Sequence, residues 1–124
     1  MNDFFVVYKE VSGEILKTLF MPEEDVHMNY DEELGERYIT GEGYYELHYV
    51  HEGEIVPRPE NPTILDGLSL KNVPENSVIW IDSEFYECKD GGTVDLSFNM
   101  AGTYVVRVES FPYLDKEFTI DYQP

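Results

Sequence analysis

Cysteine is nearly absent from this chain, and long apolar runs are absent altogether. The single cysteine, Cys88, cannot form an intramolecular disulfide, which excludes a secreted scaffold held together by disulfides. No apolar run approaches the roughly 20 residues that a membrane-spanning helix requires. The opening residues, Met1 to Phe5, place no basic segment before an apolar stretch, so we expect no signal peptide. The expectation is a soluble protein made in a reducing cytoplasm.

Basic residues are also scarce. The chain has 8 Lys and Arg residues against 26 Asp and Glu residues, and its formal net charge is −18 at pH 7. Because nucleic-acid affinity comes mainly from Lys and Arg side chains that neutralise phosphates, we expect no direct nucleic-acid binding. The same argument disfavours binding to an anionic membrane surface. Residues 1–62 carry 15 acids and 4 bases and residues 63–124 carry 11 acids and 4 bases, so the first half is the more acidic.

Motifs for catalysis or metal binding are missing as well. No serine lies in a G-x-S-x-G elbow, and Cys88 has no neighbouring histidine to activate its thiol. The 3 histidines have no cysteine or carboxylate at zinc-ligand spacing. Acidic clusters at residues 23–25 and 31–33 lack the spacing of an EF-hand loop, and a solvated acidic face is the simpler interpretation. We therefore expect neither an enzyme nor a protein that holds a metal or cofactor.

Short runs of β-branched and aromatic residues, separated by turn-forming residues, predict an all-β protein. Hydrophobic residues make up 42% of the 124 residues and aromatics 15%, which is enough apolar surface for a core. In the first half, Gly13 lies in a predicted hairpin turn, and Pro22 precedes acids that favour either a helical turn or an ordered loop. The predicted strands here are residues 4–9, 14–20, 36–40, 44–50 and 54–56.

Three prolines close together predict a boundary. Pro57, Pro59 and Pro62 each remove a backbone donor and favour extended geometry in the preceding residue. We interpret residues 57–62 as a semi-rigid linker between an N-terminal β-hairpin or meander for docking, residues 1–56, and a C-terminal module, residues 63–124.

The C-terminal module is predicted to be an immunoglobulin-like β-sandwich. Alternation in one strand points Tyr104, Val106 and Val108 to the core, whereas Trp80 in another strand could lie on either face. Gly102 two residues before Tyr104 resembles a tyrosine corner, in which the hydroxyl bonds to backbone upstream, and a β-branched residue in place of Gly102 is expected to be destabilising if this position needs positive φ. The predicted strands are residues 63–70, 77–82, 84–88, 93–98, 103–109 and 116–122.

Tyrosines in the first half are candidate interface residues. Tyr44, Tyr45 and Tyr49 lie on one predicted strand, with Tyr45 and Tyr49 on the same face. The alternative is that these rings fill the core of a small β layer. In the second half, the aromatic loop residues Phe111 and Tyr113 are candidates for receptor or glycan binding.

Short motifs that carry a further signal lie at residues 12–16, 48–50, 53–59, 66–68, 101–108 and 111–118. Together these motifs resemble a family of short proteins encoded among the virion-structure genes of tailed bacteriophages. The resemblance spans most of the chain, is weakest across residues 23–35, and is carried by turns, the proline segment and a strand pair. It implies a virion protein, a tail, baseplate or capsid-decorating component, that packs against other virion proteins in symmetry-related copies.

Two other functions remain open at this point. A strongly acidic chain could mimic DNA and occupy the basic groove of a host nuclease or polymerase. Against this, the acids are spread through both halves and interleaved with tyrosines and glycine turns. The other alternative is a receptor- or glycan-binding module formed by residues 63–124.

Overall fold

The computed structural model describes residues Met1–Pro124 and is nearly all β, with 52% of residues in strands and 8% in helices. The predicted all-β class is confirmed. Backbone contacts divide the chain into two compact units, Met1–Arg58 and Pro59–Pro124. We call them the N-terminal unit and the C-terminal unit.

The N-terminal unit contains an antiparallel sheet with strand order β2-β1-β3 and a separate hairpin formed by β4 and β5. Two short 3-10 helices, Glu23–Asn29 and Glu32–Leu34, occupy the acidic segment between β2 and β3. The strands are β1 Asp3–Lys9, β2 Ile15–Met21, β3 Glu36–Thr40, β4 His48–His51 and β5 Glu54–Pro57.

The central strand β1 is covered on both faces. Phe5, Val6 and Val7 are all buried, although consecutive strand residues point in opposite directions. Val6 packs in a cluster with Ile15 of β2 and Val50 of the hairpin. On the opposite face, the Phe5 ring lies 5.8 Å from Tyr38, whose hydroxyl bonds to Glu23 of the first 3-10 helix. A continuous apolar run in β1 is therefore explained by burial on both sides of the sheet.

Gly13 is the point where the turn after β1 contacts the hairpin. It has φ 81°, and Val50 N–H donates to its carbonyl oxygen at 2.8 Å. A Cβ placed on Gly13 would lie 2.0 Å from the Val50 carbonyl oxygen. Only glycine combines this backbone angle with so close an approach.

The C-terminal unit is a sandwich of two antiparallel sheets, with strand orders β10-β7-β6 and β12-β11-β8-β9. Its buried core joins residues from both sheets, among them Leu70 of β7, Ile79 of β8 and Val106 of β11. The strands are β6 Ile64–Asp66, β7 Ser69–Val73, β8 Ser77–Ile81, β9 Glu84–Cys88, β10 Gly92–Asp95, β11 Gly102–Glu109 and β12 Lys116–Tyr122.

Three predicted strands are wrong in their extent. The strand predicted over residues 93–98 ends at Asp95 as β10. Residues 63–70 form two strands, because Gly67 takes φ 62° and turns the chain so that Asp66 pairs with Ser69. Residues 44–50 do not form one strand either. The Tyr44 carbonyl accepts hydrogen bonds from the amides of Leu47 and His48, which closes a turn, and β4 begins only at His48.

The three prolines of the predicted linker lie in different settings. Pro57 is the last residue of β5 and pairs with His48. Pro59 and Pro62 belong to the C-terminal unit, where the Pro59 carbonyl oxygen accepts a hydrogen bond from Leu114 N–H at 2.8 Å. The contact boundary, between Arg58 and Pro59, falls inside residues 57–62, and the stiffness of the segment stays a prediction.

Candidate protein-binding surface

The outer face of the four-stranded sheet carries an aromatic and cationic cluster. Ile79 and Ile81 pack against the core, so Trp80 between them points to the other face. The Trp80 ring centroid lies 5.1 Å from that of Phe85 on β9. On its other side, the Arg107 guanidinium lies 5.3 Å from the Trp80 ring centroid. We call Trp80, Phe85 and Arg107 the aromatic face.

Strand pairing holds these three side chains in line. Trp80 pairs with Phe85 across the β8–β9 hairpin and with Arg107 on β11. Cross-strand neighbours on one face lie close enough for their side chains to pack. Arg107 is further held by Glu109, whose carboxylate lies 2.7 Å from a guanidinium nitrogen. The aromatic face is thus built on regular strands, which give more rigid positioning than a loop.

Trp80 carries an unsatisfied polar atom. Its indole Nε1 is buried and has no hydrogen-bond partner. Buried indole N–H groups usually find an acceptor, and an unmade hydrogen bond costs about 1–3 kcal/mol. Phe85 beside it remains 56% exposed despite its size. Aromatic and Arg side chains are the residue types that dominate binding energy at protein interfaces.

Acidic residues border the aromatic face. Glu117 on β12 pairs with Arg107, and Glu87 on β9 pairs with Val78 next to the cluster. An apolar centre with a charged border is the usual arrangement of a protein-binding patch. The acidic border would favour a partner with a complementary basic surface.

Tyr45 and Tyr49 do not share a strand face, which corrects the prediction, because only Tyr49 lies in a strand. Tyr44 and Tyr45 precede β4 and are exposed, whereas Tyr49 lies in β4 and is half-buried. The Arg58 guanidinium lies 5.6 Å from the Tyr45 ring centroid and donates to the Tyr45 carbonyl oxygen at 3.1 Å. Partial desolvation of the hydroxyl, followed by the charge of Glu42, raises the pKa of Tyr44.

Phe111 and Tyr113 lie between β11 and β12, in the loop predicted from sequence. Both side chains are half-buried, so they present less surface than an exposed loop aromatic would. The Tyr113 amide donates to the Ser110 carbonyl oxygen at 2.7 Å, which closes a tight turn. Nothing in this geometry identifies a sugar-stacking platform, and glycan binding stays a prediction.

Tyr104 has the geometry expected of a tyrosine corner. It lies near the start of β11, and its hydroxyl donates to the Met100 carbonyl oxygen at 2.8 Å. Its ring stacks on Phe98 at 4.2 Å between centroids. Gly102 has a positive φ of 159°, close to extended backbone, and an added Cβ would meet nothing nearer than 3.9 Å, so a requirement for glycine there stays a prediction.

The acidic and histidine residues considered from the sequence do not form a group that could hold a metal ion. The described chain contains no group of three or more His, Cys, Asp or Glu side chains arranged to hold a metal ion. Asp31 instead caps the second 3-10 helix by accepting a hydrogen bond from Glu33 N–H at 2.9 Å. Cys88 is a free, half-buried thiol at the end of β9. No helix is both long and apolar enough to cross a membrane.

The aromatic face was missed from the sequence, although a signal was available. The Asp82-Ser83 turn pairs Ile81 with Glu84, and this register places Phe85 opposite Trp80.

Comparison with protein-family models, curated proteins and solved structures gave no match. The resemblance to virion proteins therefore stays a proposal.

Proposed function

We propose that the protein is a non-enzymatic protein-binding component that docks through the aromatic face. The observation that carries this proposal is the packing of Trp80 with the exposed Phe85 and with Arg107, on regular strands and bordered by carboxylates. Burial of such aromatic anchors supplies most of the free energy at many interfaces.

The strand order supports an immunoglobulin-like sandwich as the carrier of this face. If β6, β7, β8, β9, β10, β11 and β12 are lettered A, B, C, C′, E, F and G, the two sheets read E-B-A and G-F-C-C′. That is the partition of strands between sheets in immunoglobulin-like domains that lack strand D. Tyr104 at the start of strand F and its bond to Met100 agree with this assignment.

The setting we propose is a bacteriophage particle, with other virion proteins as partners. This step rests on the resemblance of the turn, proline and strand-pair motifs. The net charge of −18 is consistent with it, because like-charged free copies repel one another until a complementary partner is met. Symmetry-related copies would then arise from the symmetry of the particle.

Quantitative mass spectrometry of purified particles tests the proposal. We expect the protein at a fixed ratio to the major capsid or tail-tube protein, with fewer copies of a Phe85→Ala variant. Leu34→Ala is the matched control, since Leu34 is exposed and apolar but lies in the N-terminal unit. Absence from particles, with abundant protein in infected cells, would contradict the virion assignment and favour the DNA-mimic hypothesis. Equal incorporation of both variants and the wild type would exclude the aromatic face as the docking surface.

A further inference from the structure

The open side of the C-terminal sandwich holds an apolar groove, separate from the aromatic face. The four-stranded sheet packs against a sheet of only three strands, and β9 lies at the edge of the larger sheet, paired only with β8. The cavity there has a volume of about 320 Å³ and is lined mainly by Ile79, Ile81, Tyr86, Val94 and Leu96. We call it the edge groove.

The edge groove continues along the sandwich. A second cavity of about 270 Å³ shares Ile81, Tyr86 and Ser97 with the first and extends to Phe98 and Met100. The shared lining joins the two cavities into one groove that runs from Val94 of β10 to Met100, which suits a stretch of extended chain better than a compact ligand. Tyr86 lies in both cavities and is 52% exposed, so it is the most accessible aromatic residue of the groove.

Both strands that flank the edge groove are sheet edges. β10 ends the three-stranded sheet and β9 ends the four-stranded sheet, so each has one side without a paired strand. Such edges can accept a further strand through backbone hydrogen bonds. A strand added beside β10 would complete a fourth strand in that sheet and cover the inner side of β9.

Charge around the edge groove selects the occupant. Glu84 on β9 and Asp95 on β10 border it, and Asp90 lies in the connection between the two strands, where Lys89 is the cation. A second copy of this chain, with the same net charge of −18, would be repelled. A segment with Lys or Arg next to its apolar residues would be attracted.

We propose that the edge groove binds an extended segment of a partner protein, in which apolar residues alternate with polar ones and Lys or Arg lie at the ends. The segment adds as a strand to the free edge of β10. Its inward side chains pack against Ile81, Tyr86 and Val94, and its basic ends lie near Glu84 and Asp95. This site goes beyond the aromatic face, which lies on the opposite side of the same sheet.

The test uses the full chain and a synthetic peptide of alternating Val and Thr with two Lys at each end. We expect backbone amide shifts in the NMR spectrum along β10, with no change in fluorescence from Trp80, which lies on the opposite face. Tyr86→Ala should weaken binding at least about tenfold, because a buried aromatic contact is lost. Phe85→Ala is the control, since Phe85 is the next residue, is similarly exposed and points away from the groove.

Three results would overturn the proposal. The first is no amide shift at a peptide concentration of about 1 mM, the weakest affinity that such a site would be expected to show. The second is equal weakening by Phe85→Ala and Tyr86→Ala. The third is equal binding of a peptide with Glu in place of Lys. Retention of the wild-type dispersion in the spectrum of each variant shows that lost binding does not reflect unfolding.

Discussion

The two units bury their small β cores in different ways. The C-terminal unit places alternate residues of paired strands between two sheets, and its core includes Val106 and Val108 of one strand. The N-terminal unit has only three buried residues in its main cluster, Val6, Ile15 and Val50. It depends in addition on a close backbone approach at Gly13. The C-terminal unit is therefore stabilised mainly by side-chain packing, whereas the N-terminal unit also depends on a close contact between backbone segments.

This comparison predicts different sensitivities. A unit held by side-chain packing should respond most to loss of buried methyl groups. A unit whose layers meet at a glycine should respond most to an added methyl group at that glycine, because the backbone on the other side cannot move aside cheaply. The predictions below follow from this contrast, in order of decreasing effect.

The largest effect is expected for Gly13→Ala. The new Cβ would lie 2.0 Å from the Val50 carbonyl oxygen at a φ of 81°, so the turn and the hairpin must separate. We expect the N-terminal unit to lose about 3 kcal/mol of stability, combining backbone strain with lost contacts. Hydrogen exchange of the β1 amides, together with thermal unfolding followed by circular dichroism, measures it.

Gly53→Ala is the matched control for this prediction. Gly53 has φ 78°, almost the angle of Gly13, but a Cβ there would meet nothing within 4 Å. Only the backbone strain of about 1 kcal/mol is expected. Equal losses of stability in Gly13→Ala and Gly53→Ala would show that backbone strain, and not the close contact with Val50, makes glycine necessary at position 13. Faster exchange in β11 as well would show that the two units do not unfold separately.

The next effect is expected for Val106→Ala in the C-terminal unit. Val106 is fully buried between the sheets, and removing its two methyl groups should cost about 2 kcal/mol. Its neighbour Val105 is 39% exposed, so Val105→Ala should change stability by less than about 0.5 kcal/mol. Chemical denaturation followed by Trp80 fluorescence compares them. Similar losses would mean that the alternation of buried and exposed residues in β11 is not what stabilises this strand.

The same contrast explains how far the sequence predicts the fold. In β11 the alternation of Tyr104, Val106 and Val108 with outward residues was correctly predicted. One face of this strand packs on the core and the other faces outward, so apolar core residues recur at every second position. In β1 the run Phe5, Val6 and Val7 gives the strand but not its two covering layers. The turn after Tyr44 was missed because its hydrogen bonds are between backbone groups, which side-chain periodicity does not report.

The candidate site was less predictable than the fold. Trp80 has apolar neighbours on both sides in sequence, so alternation alone leaves its direction open. Only the sheet order and the hairpin register place it beside Phe85 and Arg107. The edge groove depends on the number of strands in each sheet. The sequence predicted one strand over residues 63–70 where the structure has two, so the number of strands in the smaller sheet could not be predicted.

A smaller effect is expected for Tyr104→Phe. The variant loses the hydrogen bond to the Met100 carbonyl oxygen but keeps the ring that stacks on Phe98. We expect the C-terminal unit to lose about 1 kcal/mol, the usual net contribution of one hydrogen bond. Tyr122→Phe is the control, since that hydroxyl makes no hydrogen bond while its ring also packs on Phe98. An unchanged midpoint of unfolding for Tyr104→Phe would remove the tyrosine corner as a source of stability.

The smallest effect concerns the exposed ion pair between Asp66 and Lys71 on the hairpin of β6 and β7. The hydrogen bond from Lys71, at 2.7 Å, and then its charge lower the pKa of Asp66 below the ordinary value of 3.8. A carboxyl whose pKa is lower in the folded state stabilises the fold above pH 3.8, and this contribution is lost as the pH falls through the folded pKa. Lys71→Met should return the pKa of Asp66, measured by NMR titration, toward 3.8, whereas Lys89→Met should leave it unchanged. If the pKa of Asp66 is the same in Lys71→Met as in the wild type, the ion pair is not formed in solution. This hairpin would then be held by its backbone hydrogen bonds alone.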